Sequence, residues 1–332
     1  MPRSPVAVRT RNNRCDMKAP TFSVLINNYN YGNFVVEAVE SALRQSLPAL
    51  EIIVVDDGST DGSREMLSQR YAGHPLVRIS SKENGGQLSA FIAGFGHSAG
   101  DIVCFLDADD VWEPQHLQTL AAAYSADATL DFVSTNMRYF GTREGLYDSR
   151  VSDYDHGLTA LPTVFLGHWC GGPASAVSLR RALAARVLDL PEPIRRDWRT
   201  AADDCLVYGA SVLGAHKKYL AAVTVAYRMH GKNVSLERRD AVLHLHHKYR
   251  VQRLLDHYLR IGGFRAESLC LTKEEFKTKP RPSAGELGLY LELLRRAPLS
   301  PFRRIEQSVA MLRRYLVTRR VPRHGGMSAD RR

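Results

Sequence analysis

Three groups of acidic side chains stand where residue type and spacing could do chemistry. Asp107 and Asp109, separated by Ala108, follow the apolar run Ile102 to Leu106. Two carboxylates one residue apart on a turn can hold a divalent cation, and such a cation can neutralise the charge gathering on a departing nucleoside diphosphate. Pro114 beyond Trp112 begins a helix-like stretch, so part of this cluster has helix capping as its plainer explanation. Asp56 and Asp57, with Gly58 and Ser59 after them, end a second apolar run, Glu51 to Val55. A carboxylate there can accept the imide N–H of uracil and a hydroxyl can serve a ribose, while a turn with Asp61 as N-cap explains the same residues. Asp203 and Asp204 head a helical stretch reaching about Leu213, where acids also complement the helix dipole.

The surrounding elements must bring these groups together. Apolar strand-like runs at Phe22–Ile26, Glu51–Val55, Leu76–Ser80 and Ile102–Leu106 alternate with helical patterns: Val35 to Leu43 with Asn33 as N-cap, Asp61 to about Tyr71, and Gln87–His97. Fully apolar strands alternating with helices predict an α/β fold with a mostly parallel sheet covered on both faces. Ligands in such sheets bind beyond the carboxyl ends of the strands, which places Asp56, Asp57, Asp107 and Asp109 on one rim. Past Asp131 the pattern becomes mixed, with a strand at Phe132–Thr135, a Gly-rich turn at Gly171–Pro173, helices over Leu179–Leu188 and Asp203–Leu213, and a closing strand at Tyr219–Tyr227. Helical segments follow at His244–Leu259, Ala284–Leu294 and Pro301–Leu316. The expected organisation is a disordered basic leader (1–20), an α/β domain (21–235) and a helical C-terminal region with a basic tail (236–332).

Four stretches, Phe22–Asn30, Val54–Ser63, Asn84–Gly94 and Gly100–Trp112, resemble in order and spacing the nucleotide-sugar motifs of family 2 glycosyltransferases. The resemblance runs from Phe22 to about Ser235. It implies the GT-A (Rossmann-like) fold and an inverting sugar transfer from a nucleotide diphosphate, often UDP, assisted by Mg²⁺ or Mn²⁺. On that resemblance Asn28, Tyr29 and Asn30 border the base, Asp56, Asp57 and Ser59 serve the nucleoside, and Asn84, Gly85 and Gly86 form the Asn-x-Gly loop. Asp107, Ala108 and Asp109 match the D-x-D. Asp203 is the better match to the general base of direct displacement and Asp204 the second choice. His230, in a stretch from Tyr227 to Ser235 that returns to the site, is a candidate metal ligand or diphosphate contact. Gly171 to Ser175, with His168 and Trp169, line the acceptor side; burial of Trp169 in the core is an equal alternative.

Two departures from the family pattern matter. Asn27 and Asn28 stand where many relatives have Pro-Thr, and Ala90, Phe91 and Ile92 where many have Ala-Arg-Asn. The missing arginine leaves Lys82 and Arg228 as candidate diphosphate partners, each equally readable as a surface charge.

Charge and composition narrow the class. The net charge of +10 is concentrated at the ends, +4 over residues 1–18 and +7 over residues 303–332, leaving the body near −1. A neutral body argues against a nucleic-acid-binding core. Five dispersed cysteines without a CxxC pair predict reduced thiols, and with no secretory signal or membrane-spanning run a cytoplasmic protein is expected. His244, His246 and His247 are read as no metal site, for want of a nearby acid. Phe302, Ile305, Val309, Leu312 and Leu316 form a helical stripe among arginines. Either it docks on the domain, or 301–320 makes a peripheral contact with the inner face of the membrane, within reach of a lipid-linked rather than free glycan acceptor. Two rival functions are nucleotidyl transfer, for which Asn27–Gly32 lacks a basic residue, and a non-catalytic basic module acting through its tails.

Overall fold

The computed structural model describes residues 19–231 and 241–320. The leader through Lys18, the expected boundary near residue 236 and the tail beyond residue 320 lie outside the described residues.

The first half alternates strand and helix: β1 (Phe22–Asn28), α1 (Val35–Leu43), β2 (Glu51–Asp56), α2 (Ser63–Arg70), β3 (Val77–Ser81), α3 (Gln87–Gly96) and β4 (Ile102–Asp107). These strands pair in parallel in the order β3-β2-β1-β4. After them come β5 (Val111–Trp112), α4 (His116–Ala126), β6 (Phe132–Gly141), β7 (Gly145–Leu146), β8 (Tyr154–Gly157), α5 (Ala160–Leu166), β9 (Val177–Arg180), α6 (Arg181–Leu188), α7 (Glu192–Asp197), α8 (Ala202–Val212) and β10 (Lys217–Met229). The sheet continues past β4 as β9-β6-β10-β5, with β9 antiparallel to both β4 and β6, and β6 parallel to β10.

Alternation along β1 explains the two layers. Val24 and Ile26 join Ile52 and Val54 under α1 and α4, whereas Leu25 joins Ile53, Val55 and Phe105 against α3, α6 and α8. Each such fully buried side chain contributes about 1.5–3 kcal/mol.

Three expectations need correction. Gly62 rather than Asp61 holds the cap position of α2. Leu179 is not helical: β9 fills the slot between β4 and β6, where Leu179 pairs with Val103 and Phe132, and the helix starts only at Arg181. Pairing on both sides overrides the helical pattern there. Nor does Asn33 cap α1; Phe34 occupies that position, and the Tyr31 carbonyl accepts from the amides of Phe34 (2.8 Å) and Val35 (2.9 Å).

The remaining elements are α9 (Ala241–Gly262), α10 (Thr272–Lys277), α11 (Ala284–Arg296) and α12 (Pro301–Arg320). Leu254, Leu255 and Tyr258 of α9 share the core of α8, and the Tyr258 hydroxyl donates to the Val187 carbonyl at 2.6 Å. α12 docks through Met311, and Arg314 donates to the carbonyls of Lys277 and Lys279. The stripe Phe302, Ile305, Val309, Leu312 and Leu316 faces outward, 46–78% exposed, so it does not dock on the domain. Among the described residues no helix is long and apolar enough to cross a membrane.

Candidate active site

β4 ends at Asp107, and the turn beyond it is fastened from below. Ser175 Oγ accepts the Asp107 amide (3.1 Å) and donates to Asp110 (2.6 Å), and the Trp112 indole donates to the Ser175 carbonyl (2.8 Å). From β10, the Arg228 amide donates to Asp110 (2.9 Å) and its Nε to the Asp109 carbonyl (2.8 Å). His230 Nε2 lies 2.9 Å from Asp109 Oδ2. Asp110 is thereby consumed in holding the turn.

Like charge accumulates here. Burial, then Asp109 and Asp203 nearby, push Asp107 up to about 8, while burial together with Asp109 and Asp107 pushes Asp110 well above the usual carboxylate range. Gln87 (2.6 Å) and Asn27 (2.8 Å) offset part of this by donating to Asp107 Oδ1. Carboxylate oxygens in excess of nearby cations are the donor chemistry that Mg²⁺ or Mn²⁺ takes, so Asp107 and Asp109 fit such an ion, with His230 adjoining.

At the ends of β1 and β2, Asn28 Nδ2 donates to Asp56 (2.8 Å), Ser59 (3.1 Å) and Ser63 (2.9 Å), and Asp56 accepts the Ser59 amide (3.0 Å). Asp56 is wholly buried, so it shapes the loop from beneath. Asn30, at φ 57°, binds the Thr60 amide through its side chain (2.7 Å) and gives its own amide to Ser59 (3.0 Å). Asp57 reaches the cavity and accepts from Lys82 Nζ (2.6 Å), the Gly85 amide (3.0 Å) and the Gly86 amide (2.6 Å).

One cavity of about 870 Å³ joins these parts. Asn28, Tyr29, Asp57, Asn84 and Gly86 line one half, Asp107, Ala108 and Asp109 the middle, and Asp203 and Asp204 the head of α8. Lys82 is committed to Asp57. Arg228 is bonded to Glu37 and lies between the rings of Phe34 and Phe140. The arginines that line the cavity are instead Arg143 and Arg199.

Asp204 Oδ2 faces His247 Nε2 of α9 at 3.3 Å, and the His247 ring stands edge-on to Trp198. The expectation that no acid sits near the histidine group is thus corrected, because the partner is supplied from α8. Trp169 both packs on the core and lines the cavity. Gln87, His247 and Tyr139 are further lining residues to which motif reading assigned no role, and Tyr227 begins the stretch expected to return to the site. Gln87 lay within reach, directly after the Asn84–Gly86 loop, whereas His247 carries no local signal. A separate group, Asp127, Asp155 and His216, gathers its ligand atoms within 4.8 Å. It sits where β6 and β10 begin, at the opposite rim from Asp107, and its members hydrogen-bond to Thr129 and to one another.

A parallel β3-β2-β1-β4 half, an acidic turn after β4 and a mixed second half define the GT-A fold. Solved structures align accordingly. Staphylococcus aureus TarS residues 1–349 in complex with UDP-GlcNAc superposes with TM-score 0.53 at 18% identity, covering 90% of this chain and 73% of that one. The mannosyltransferase PcManGT from Pyrobaculum calidifontis, in complex with GDP-Man and Mn²⁺, gives 0.52 at 19%, covering 91% and 87%.

Residues 23–182 of the chain match Glycosyl transferase family 2. Its relatives include an uncharacterized glycosyltransferase of Nostoc sp., 34% identical over 215 residues, 64% of this chain and 65% of that protein. The chondroitin synthase of Pasteurella multocida is 28% identical over 223 residues, 67% of this chain but 22% of the synthase. The chain therefore spans under two thirds of these curated relatives.

Proposed function

We propose that this protein is an inverting glycosyltransferase moving a sugar from a nucleotide diphosphate sugar, UDP-linked, to a hydroxyl of a glycan or lipid-linked acceptor. The observation that carries this reading is that Asp57 and Asp109, from different strands, line a single cavity. Asp57 is oriented by Lys82 and by the amides of Gly85 and Gly86 and lines the cavity where a base imide would meet its carboxylate. Tyr29, 46% exposed at the cavity wall, offers a ring face to the base.

Asp107 and Asp109, with His230 beside Asp109, would hold Mg²⁺ or Mn²⁺, which supplies positive charge against the departing diphosphate. Asp203 takes the acceptor hydroxyl proton as the new glycosidic bond forms and the bond to the diphosphate breaks. Asp204, turned to His247, supports the start of α8 rather than the proton transfer. A thermal-shift panel of nucleotide sugars with and without Mn²⁺ tests this, since a ligand at a hundred times its Kd stabilises by about 2.7 kcal/mol. No shift from any nucleotide sugar, with or without metal, defeats it.

The same proposal places the chain in the cytoplasm, in peripheral contact with the inner membrane face through α12. The outward stripe and the six arginines against one glutamate on that helix support the contact, at roughly 1 kcal/mol per arginine near anionic lipid. Sedimentation with anionic vesicles should carry down the full chain, and Ile305→Glu with Leu312→Glu should release it; unchanged sedimentation removes this part of the reading.

A further inference from the structure

The cavity wall on the far side of the acidic turn has a different chemistry from the nucleotide half. In sheet order β1, β2 and β3 lie on one side of β4, and β6 and β10 on the other. From these last two come Tyr139, Tyr227 and, through the β6–β7 hairpin, Arg143 and Tyr147, all lining the cavity. Tyr139 has its ring centroid 5.9 Å from that of Tyr147 and 5.9 Å from that of Tyr227, with Tyr147 tilted by 51° and Tyr227 edge-on at 85°, so the three make one stepped aromatic ledge. Arg143 lays its guanidinium 4.4 Å over the Tyr139 ring.

The hairpin is fixed to the acidic turn. Thr142 donates to the Met229 carbonyl from both its amide (2.9 Å) and its hydroxyl (3.0 Å), two residues from Tyr227 on the strand that also holds Asp109 and Asp110. Gly141, at φ +94°, packs so closely on Met229 that a Cβ would lie 2.4 Å from that carbonyl oxygen. Across the hairpin base Arg138 pairs with Glu113 at 2.8 Å.

Arg143 differs from the other cations here. Arg138, Lys82 and Arg228 each face a carboxylate and Arg199 bonds the side-chain oxygen of Asn84 in the nucleotide half, whereas among the described residues no carboxylate pairs with Arg143. A guanidinium aligned on an aromatic face, with its donors unmatched by an acid, is suited to a planar or tetrahedral anion. Tyrosine faces give a sugar ring its apolar surface.

Building on the glycosyl-transfer reading, we propose that this ledge is the acceptor subsite and that it takes an acidic saccharide. The sugar ring packs against Tyr147 and Tyr227, and its carboxylate or phosphate meets Arg143 over Tyr139. The nucleotide then occupies the other half, with Asp203 between the two.

Saturation-transfer NMR on the full chain, with the donor half saturated by UDP and Mn²⁺, tests the assignment. The probes are methyl β-glucuronide, glucose 6-phosphate and methyl β-glucoside. At least one anionic probe should bind about tenfold better than the neutral glycoside, the gain of a charge-assisted contact, and the better of the two identifies carboxylate or phosphate as the source. Arg143→Gln should reduce that probe to the level of methyl β-glucoside, with UDP affinity by calorimetry unchanged. Tyr147→Ala should weaken every probe. Equal binding of neutral and anionic probes, or no probe binding beside bound UDP, overturns the subsite. So does an Arg143→Gln variant that loses UDP and keeps the probes, since the arginine would then serve the donor phosphates. Failure of UDP itself to bind is read separately by calorimetry and overturns the donor assignment on which the subsite rests.

Discussion

The side-chain amide of Gln87 spans the two acidic elements of the cleft, donating to Asp107 Oδ1 at 2.6 Å and accepting the Ala202 amide at 2.9 Å. The first residue of α3 thereby sets the end of β4 against the start of α8, and hence Asp107 against Asp203. Its orientation is fixed, because only the nitrogen can donate to a carboxylate and only the oxygen can accept from an amide.

Gln87→Ala should therefore lower kcat by roughly 10–100-fold through misplacement of the two acids, with little change in nucleotide affinity. Gln87→Glu should do worse, since it sets a third carboxylate against Asp107 and leaves Asn27 as the remaining donor to that oxygen. Steady-state kinetics with calorimetric nucleotide binding on both variants checks this. A full kcat in Gln87→Ala would show that the Gln87 amide to Arg199 carbonyl bond, 2.8 Å, holds the register unaided.

The adjacent acids of α8 should separate cleanly. Asp203→Asn is expected to abolish transfer while nucleotide binding persists. Asp204→Asn weakens the contact with His247 in a nearly closed environment, and should cost about 1–3 kcal/mol of stability before it costs chemistry. Undiminished turnover in Asp203→Asn would refute the assignment of the base, and denaturation midpoints of the two variants distinguish support from catalysis.

What could be read from sequence follows the range of the interactions. The strands β1, β2 and β4 were legible because burial on both faces makes them apolar throughout, and the acids at their ends follow from chain direction in a parallel sheet. β9 was not, because its strand character comes from β4 and β6 on either side rather than from its own four residues. Asp56 and Asp57 are adjacent in sequence and of one type, yet one is sealed under the loop and the other opens on the cavity; the alternation of the strand end decides that, and composition cannot. Asp204 and His247 meet only because α9 returns to pack on α8, and the commitment of Arg228 to Glu37 likewise depends on tertiary approach.

Gly86 offers a backbone test of the loop that carries Asn84. At φ +89° it occupies a conformation that side-chain-bearing residues rarely adopt, and a Cβ there would stand 2.3 Å from Arg199 Cα. Its amide donates to Asp57. Gly86→Ala should cost about 1–3 kcal/mol in backbone strain and, by pushing the 199–202 segment away, weaken nucleotide binding as well. Melting temperature and UDP affinity should fall together; a variant that melts normally and binds UDP normally would mean that the approach of these two segments is not needed.

Lys217 gives a pH dependence whose sign follows from its burial. The side chain is fully buried at the start of β10, donating to the carbonyls of Cys170 (3.0 Å) and Val207 (2.8 Å) and to Ser211 Oγ (2.6 Å). Burial pushes its pKa down to about 7, against about 10.4 in an unfolded chain. Below pH 7 both states carry the proton and Lys217 adds no slope. Between pH 7 and about 10.4 the unfolded chain holds a proton that the folded one has lost, so stability rises with pH by about 1.4 kcal/mol per unit from this group. Lys279, pushed down to about 8 by burial, acts in the same direction above that pH and is common to wild type and variant. Lys217→Met removes only the first contribution, so urea midpoints from pH 7 to 9.5 should climb more steeply for wild type than for the variant. Parallel curves would mean that Lys217 keeps its proton in the folded state, held by its three acceptors against the cost of burial.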